Sequence, residues 1–61
     1  MSIYLVQIGR WKKGTYKTKW IIRGDKLATV QAHMYYRGLN IGNGYKKRLV
    51  HNGKVLVREF S

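Results

Sequence analysis

Four side chains set the limits on acid–base and metal chemistry in this chain: Asp25, Glu59, His33 and His51. Catalytic acid–base work needs titratable groups held at hydrogen-bond reach of one another and of a substrate. One Asp, one Glu and two His leave few ways to build such a set, and no Ser/His/Asp-like grouping is present. His33 and His51 are therefore expected to be ordinary surface or partly buried imidazoles. With no cysteine, disulfides and thiolate zinc sites are excluded. No enzyme, no cofactor and no metal is expected.

The chemistry that remains is electrostatic. Thirteen Lys and Arg face two acids, for a net charge of +11. A solvated surface normally mixes signs, and this one does not. Charge of that size speaks to partners and not to fold, and attracts polyanions. The cations form two blocks. The first holds Arg10, Lys12, Lys13, Lys17, Lys19, Arg23 and Lys26; the second holds Lys46, Lys47, Arg48, Lys54 and Arg58. Aromatic residues interleave with them: Trp11, Tyr16, Trp20, Tyr35, Tyr36 and Tyr45. Exposed rings beside cations suit base stacking. Trp20 is expected in the core, and Trp11 and Tyr36 are expected at the surface.

The 44% hydrophobic fraction, with two Trp and five Tyr, argues against a disordered basic tail. The 61 residues are expected to form one domain with a thin core. Such a domain needs regular packing, strand hydrogen bonding or self-association, so a homodimer is one expected route to stability. No apolar run approaches the ~20 residues that cross a bilayer, and the start lacks the flanks of a signal peptide. A cytoplasmic location is expected. The chain begins at Met1 without a tag and is expected to be a complete small gene product.

Residues 3–11 are β-branched and aromatic-rich and read as a strand. After Lys12-Lys13-Gly14, residues 15–23 alternate with period two. Tyr16, Thr18, Trp20 and Ile22 share one face; Lys17, Lys19, Ile21 and Arg23 share the other. A two-residue loop at Lys13-Gly14 pairs Leu5 with Ile22, and a three-residue loop pairs Tyr4 with Ile22 and Val6 with Trp20; both registers stay open. On a strand, Lys17, Lys19 and Arg23 form a row at ~7 Å intervals, close to the distance between successive phosphates on one nucleic-acid strand. Such a row also deters edge-to-edge pairing.

Asp25 is placed as a helix N-cap. Residues 26–37 show helical spacing, with Leu27, Val30, Met34 and Tyr35 as the apolar stripe. Gly38-Leu39 reads as a stop with glycine at C′, and Arg37 suits the helix dipole. The alternative is a hairpin at Gly24-Asp25 with Leu27–Val30 as a strand. Strands 45–51 and 54–60 flank Asn52-Gly53, the strongest short-range hairpin signal. A simple two-residue turn pairs Val50 with Val55, Leu49 with Leu56, Lys46 with Glu59 as an ion pair, and Tyr45 with Phe60. The fold class is α+β: a small antiparallel sheet of two hairpins with one helix between them, ββαββ.

The glycine-framed loop Gly42-Asn43-Gly44 precedes Lys46-Lys47-Arg48. Its amides are suited to an anion nest, but a plain turn is the favoured reading. Nothing resembles a Walker motif. Lys46 and Arg48 face one way on an extended strand and Lys47 the other. A small antiparallel sheet backed by one helix resembles the AP2-type and integrase arm-binding domains, which read a DNA groove with a sheet. Those place three strands before the helix, so the resemblance is architectural and implies no residue roles.

The expected function is nucleic-acid binding of low sequence specificity, to DNA or RNA, as a small regulatory or accessory factor. The expected contact set is Arg10, Trp11, Lys12, Lys13, Lys17, Lys19, Arg23, Lys46, Lys47, Arg48, Lys54 and Arg58. The alternative is a protein-binding inhibitor or adaptor that docks on an acidic surface of a larger enzyme. A ribosome-associated structural protein ranks third, and membrane-surface binding last, since Lys26 and Arg37 alone flank the helical stripe.

Overall fold

The computed structural model describes residues 1–61 and has the order β1 (Ser2–Arg10), β2 (Lys17–Gly24), α1 (Lys26–Gly38), β3 (Tyr45–His51) and β4 (Lys54–Phe60). The ββαββ expectation holds. The four strands form one antiparallel sheet in the order β2-β1-β3-β4. The helix packs across β1, β2 and β3 and leaves β4 uncovered. No helix is long and apolar enough to cross a membrane.

The Asn52-Gly53 turn forms as its residue types require. Asn52 (φ +48°) and Gly53 (φ +84°) both sit in the left-handed region that a tight type I′ hairpin turn needs. The Asn52 side chain also accepts from the Ile3 amide at 2.9 Å, tying the turn to β1.

Both hairpins contain a register step that alternation does not show. In the first, Tyr4 pairs with Ile22 and Val6 with Trp20, the register of the three-residue loop. The step between Val6 and Gln7 then leaves Lys19 opposite no residue and pairs Lys17 with Ile8. The expected row of Lys17, Lys19 and Arg23 is therefore broken: Lys17 comes to the helix side of the sheet, and Arg23, opposite Ile3, stays on the other. The loop is longer than expected, running from Trp11 to Tyr16. In the second hairpin, Val50 still pairs with Val55, but a step between Leu49 and Val50 makes Leu56 the extra residue. Leu49 then pairs with Val57, Lys47 with Glu59 and Lys46 with Phe60. The ion pair expected between Lys46 and Glu59 forms instead from Lys47, at 3.4 Å.

The helix is also rotated from its expected pose. Its buried residues are Ala28, Ala32 and Tyr36, packed on Tyr4, Val6, Ile22 and Leu49 with Leu39 alongside. Leu27, Val30 and Met34 are 77%, 57% and 67% exposed, so the expected core stripe faces solvent. The reason is volume. Tyr4 and Tyr36 fill the space between the layers, and only methyl side chains fit where the helix comes closest. A hydrogen bond between the Tyr4 and Thr29 hydroxyls, 2.7 Å, fixes that rotation. Trp20, expected in the core, is 37% exposed and stacks on Tyr35 with centroids 5.3 Å apart.

The helix ends differ from expectation as well. Asp25 makes no side-chain capping bond. At the other end Gly38 stays helical, and the Leu39 amide donates to the carbonyls of Tyr35 and Tyr36.

Candidate functional site

The side of the sheet away from the helix is open, and its residues form rows across the strands. One row is Thr18, Gln7, Arg48 and Arg58, from β2 through β1 and β3 to β4. Gln7 Nε2 donates to Thr18 Oγ1 at 3.0 Å, and Arg48 Nε donates to Gln7 Oε1 at 2.6 Å. The Arg48 guanidinium also lies 3.8 Å from the centroid of the Tyr16 ring. One arginine is thus held by a hydrogen bond on its edge and an aromatic ring on its face.

Tyr16 reaches this position because the end of the first loop folds back over Gly9. A methyl group at Gly9 would lie 2.6 Å from the Thr15 carbonyl oxygen and 3.5 Å from the Tyr16 ring. Glycine is required there by close approach, not by an unusual dihedral.

Arg58 stands directly opposite Arg48 on the exposed edge strand. Like charges directly opposite on neighbouring strands repel. Neither acid of the chain offsets them: Asp25 precedes the helix, and Glu59 pairs with Lys47 on the helix side.

The next row toward the first loop holds Gly9, Lys46 and Phe60. Lys46 is buried; its ammonium donates to the Lys13 carbonyl at 2.7 Å and sits 4.7 Å from the Tyr16 centroid. Trp11 follows at the rim, with Nε1 donating to the Tyr45 carbonyl at 2.8 Å and its ring edge-to-face with Phe60. Arg10, Trp11, Lys12, Lys13 and Gly44 line one shallow depression beside them. Arg10 stacks over Tyr45.

The structure thus places Arg48 and Arg58 near the middle of the open face, with Arg10, Trp11, Lys12 and Lys13 beyond them toward the first loop. Arg23 lies near the start of the helix and Lys54 at the Asn52-Gly53 turn, both at the far end. Lys17 and Lys19 flank Thr18 on β2: Lys17, opposite Ile8, faces the helix side, and Lys19 is the unpaired residue of the register step.

Lys47 is 6% exposed and points the other way, as alternation requires. Its ammonium donates to the carbonyls of Tyr36 (2.7 Å) and Leu39 (2.9 Å), pairs with Glu59 and lies 4.4 Å from the Tyr36 centroid. The Tyr36 carbonyl lies in the last turn of the helix, where its other donor is the Leu39 amide at 3.3 Å, and Leu39 is the residue that follows the helix. Lys47 therefore does the capping expected of Gly38, and its donors are engaged inside the fold.

The Gly42-Asn43-Gly44 loop behaves as a turn. The Gly44 amide donates to the Ser61 carbonyl at 2.9 Å and the Tyr45 amide to the Gly42 carbonyl at 3.2 Å, so the Gly44 amide is engaged within the fold.

Tyr36 is buried, only 4% exposed, against the expected surface position. Burial pushes its phenol up to about 12, and the nearby Glu59 carboxylate adds to the shift through its charge. No acceptor meets hydrogen-bond geometry at the hydroxyl. Because the folded value is raised above the unfolded one, the folded form holds its proton longer. The associated stability is present below pH 10.0 and is lost as pH rises toward about 12. Tyr36→Phe is expected to remove that alkaline loss. It should also leave stability at pH 7 unchanged or higher by about 1 kcal/mol, since an unpaired buried hydroxyl is costly. Urea melts of both proteins at pH 7 and pH 11 check this, and a Phe variant with the wild-type alkaline loss contradicts it.

His51 stacks on Tyr4 with centroids 4.3 Å apart, and His33 is half-buried on the helix. No three His, Asp or Glu side chains converge on a point. Comparison with family models, curated proteins and solved structures finds no match to this chain.

Gln7, Gly9 and Phe60 are site residues outside both the expected contact set and the expected aromatics, and Tyr16, expected among those aromatics, has its ring taken up by Arg48 and Lys46. Among them Gln7 carries a signal, as the lone amide in the run Ile3–Gly9.

Proposed function

We propose that this chain binds nucleic acid, DNA or RNA, with low sequence specificity through the open face of its sheet. The observation that carries this reading is the facing pair Arg48 and Arg58, with no acid on their side of the sheet. A folded domain keeps such a repulsive pair at a cost to its stability. A phosphate between the two guanidiniums turns that cost into charge-assisted hydrogen bonds. Arg10, Lys12 and Lys13 extend the same field around the loop. Nothing in this arrangement reads base identity, which suits a regulatory or accessory factor acting on nucleic acid in the cytoplasm.

The test is a salt titration of binding to DNA and to RNA. Phosphate contact predicts log K falling linearly with log salt, by about 0.9 per neutralised phosphate on duplex DNA. No binding to either polymer at low salt ends this reading.

A second reading rests on a separate observation, the exposed stripe of Leu27, Val30 and Met34. Their i, i+3, i+7 spacing fits the helix-in-groove mode of docking. Lys26 and Arg37 flank the stripe on one side. Two copies packed antiparallel through this face would set those cations against each other, so charge complementarity selects an acidic protein with an apolar groove. In that case Met34→Asp abolishes retention of an acidic protein from nuclease-treated extract, whereas Arg58→Gln does not, and cross-links map to the helix. Retention that ignores Met34→Asp, or a dimer in sedimentation, contradicts it.

A further inference from the structure

We infer that Trp11 and Phe60 form a stacking platform for unpaired bases, which makes single-stranded nucleic acid the preferred ligand of the open face. The inference rests on the proposal that this face binds nucleic acid and names which form it takes.

Trp11 and Phe60 are 53% and 56% exposed, and neither belongs to the core cluster. In a chain with so thin a core, two large rings outside it are costly to leave in water. The rings are ordered nonetheless. Their centroids are 5.8 Å apart at an interplanar angle of 80°. Trp11 is fixed twice, by its indole N–H to the Tyr45 carbonyl (2.8 Å) and its amide to the Gly44 carbonyl (3.0 Å). An edge-to-face pair held in this way keeps ring faces open to solvent at low entropic cost.

The rings also stand in the right place. Phe60 and Arg58 are two residues apart on β4, hence on one face and ~7 Å apart. A strand whose phosphate meets Arg58 and Arg48 can therefore lay a neighbouring base on Phe60 or Trp11. Tyr16 is excluded from that role because Arg48 and Lys46 occupy its ring. A base in a duplex has both faces covered by its neighbours, so only an unpaired base can use the platform, whichever base it is.

The experiment compares labelled oligo(dT), oligo(U) and a duplex of matched length by fluorescence anisotropy at one salt concentration. The single strands are expected to bind more tightly. Phe60→Leu is expected to weaken single-strand binding about tenfold, the worth of one stacked base. The slope against salt should stay the same, and duplex binding should barely change. In a Trp20→Phe background, Trp11 fluorescence is expected to be quenched by oligo(dT), a readout independent of how Phe60→Leu folds. Salt-dependent binding with no quenching and no effect of Phe60→Leu overturns the platform and leaves the phosphate site standing. Absence of binding to all three polymers overturns both.

Discussion

Lys47→Ala is expected to lower the melting temperature of this protein by about 15 °C. A lysine on a strand of a highly basic chain looks expendable, and here it is not. Its ammonium replaces the missing cap of the helix by donating to the carbonyls of Tyr36 and Leu39 at 2.7 and 2.9 Å. A hydrogen bond to a charged group contributes about 1.5–3 kcal/mol, and losing both leaves the Leu39 carbonyl unpaired and the Tyr36 carbonyl with only the 3.3 Å bond from the Leu39 amide. A total near 3 kcal/mol is a large share of what a domain of this size has, about 0.05–0.15 kcal/mol per residue. At about 4–8 °C per kcal/mol for small domains, the melting temperature falls accordingly. The ion pair with Glu59 contributes little, because that carboxylate is 55% exposed and screened by solvent. Glu59→Gln is thus expected to leave the melting curve nearly unchanged. Circular dichroism melts of the two variants check both statements. A Lys47→Ala protein as stable as wild type would remove the lysine from the helix cap.

Gly9→Ala is the second large effect. The added methyl would meet the Thr15 carbonyl oxygen at 2.6 Å, and backbone cannot yield as a flexible side chain does. Overpacking of this kind costs about 1–3 kcal/mol. The loop has two ways to respond: it strains in place, or it lifts from the sheet and takes Tyr16 away from Arg48. Either way nucleic-acid affinity should fall together with stability. Gly14→Ala is the matched control. Nothing lies within 4 Å of a methyl there, and its φ is outside the left-handed region. That variant is expected to be neutral, or more stable by about 0.4–1 kcal/mol from reduced unfolded-state freedom. Urea midpoints of the pair separate a steric requirement from a general dislike of glycine replacement.

The element order was legible because each element has a strong local signal. Alternation marks β2, Asn52-Gly53 marks the second hairpin, and the glycines at 24 and 38 bracket the helix. What lies between elements was not. Lys19 and Leu56 are the extra residues at the two register steps, and neither type differs from its neighbours in a way that marks a bulge. Each step exchanged the partners beyond it, which moved the Glu59 ion pair from Lys46 to Lys47. The helix posed a different difficulty. Leu27, Val30 and Met34 are more hydrophobic than Ala28 and Ala32, and hydrophobicity favoured the wrong face. Available volume decided the other way, since Tyr4 and Tyr36 had already filled the interlayer space. The opposite facing of Lys47 and its neighbours was legible from period two alone. Its burial was not, because it depends on a helix end brought there by the tertiary fold.

The most direct measurement of the central claim is the salt dependence of nucleic-acid binding for Arg58→Gln beside Lys54→Gln, two exposed cations of β4, the second at its start beside the Asn52-Gly53 turn. Arg58→Gln is expected to reduce the slope of log K against log salt by about 1, the effect of losing one phosphate contact. It should also stabilise the fold by about 0.2–1 kcal/mol by relieving the repulsion from Arg48. Lys54→Gln should change neither. A more stable protein that binds worse is the signature of charge kept for a ligand. Equal slopes for wild type and Arg58→Gln, or an equal loss from Lys54→Gln, would contradict a site centred on the open face.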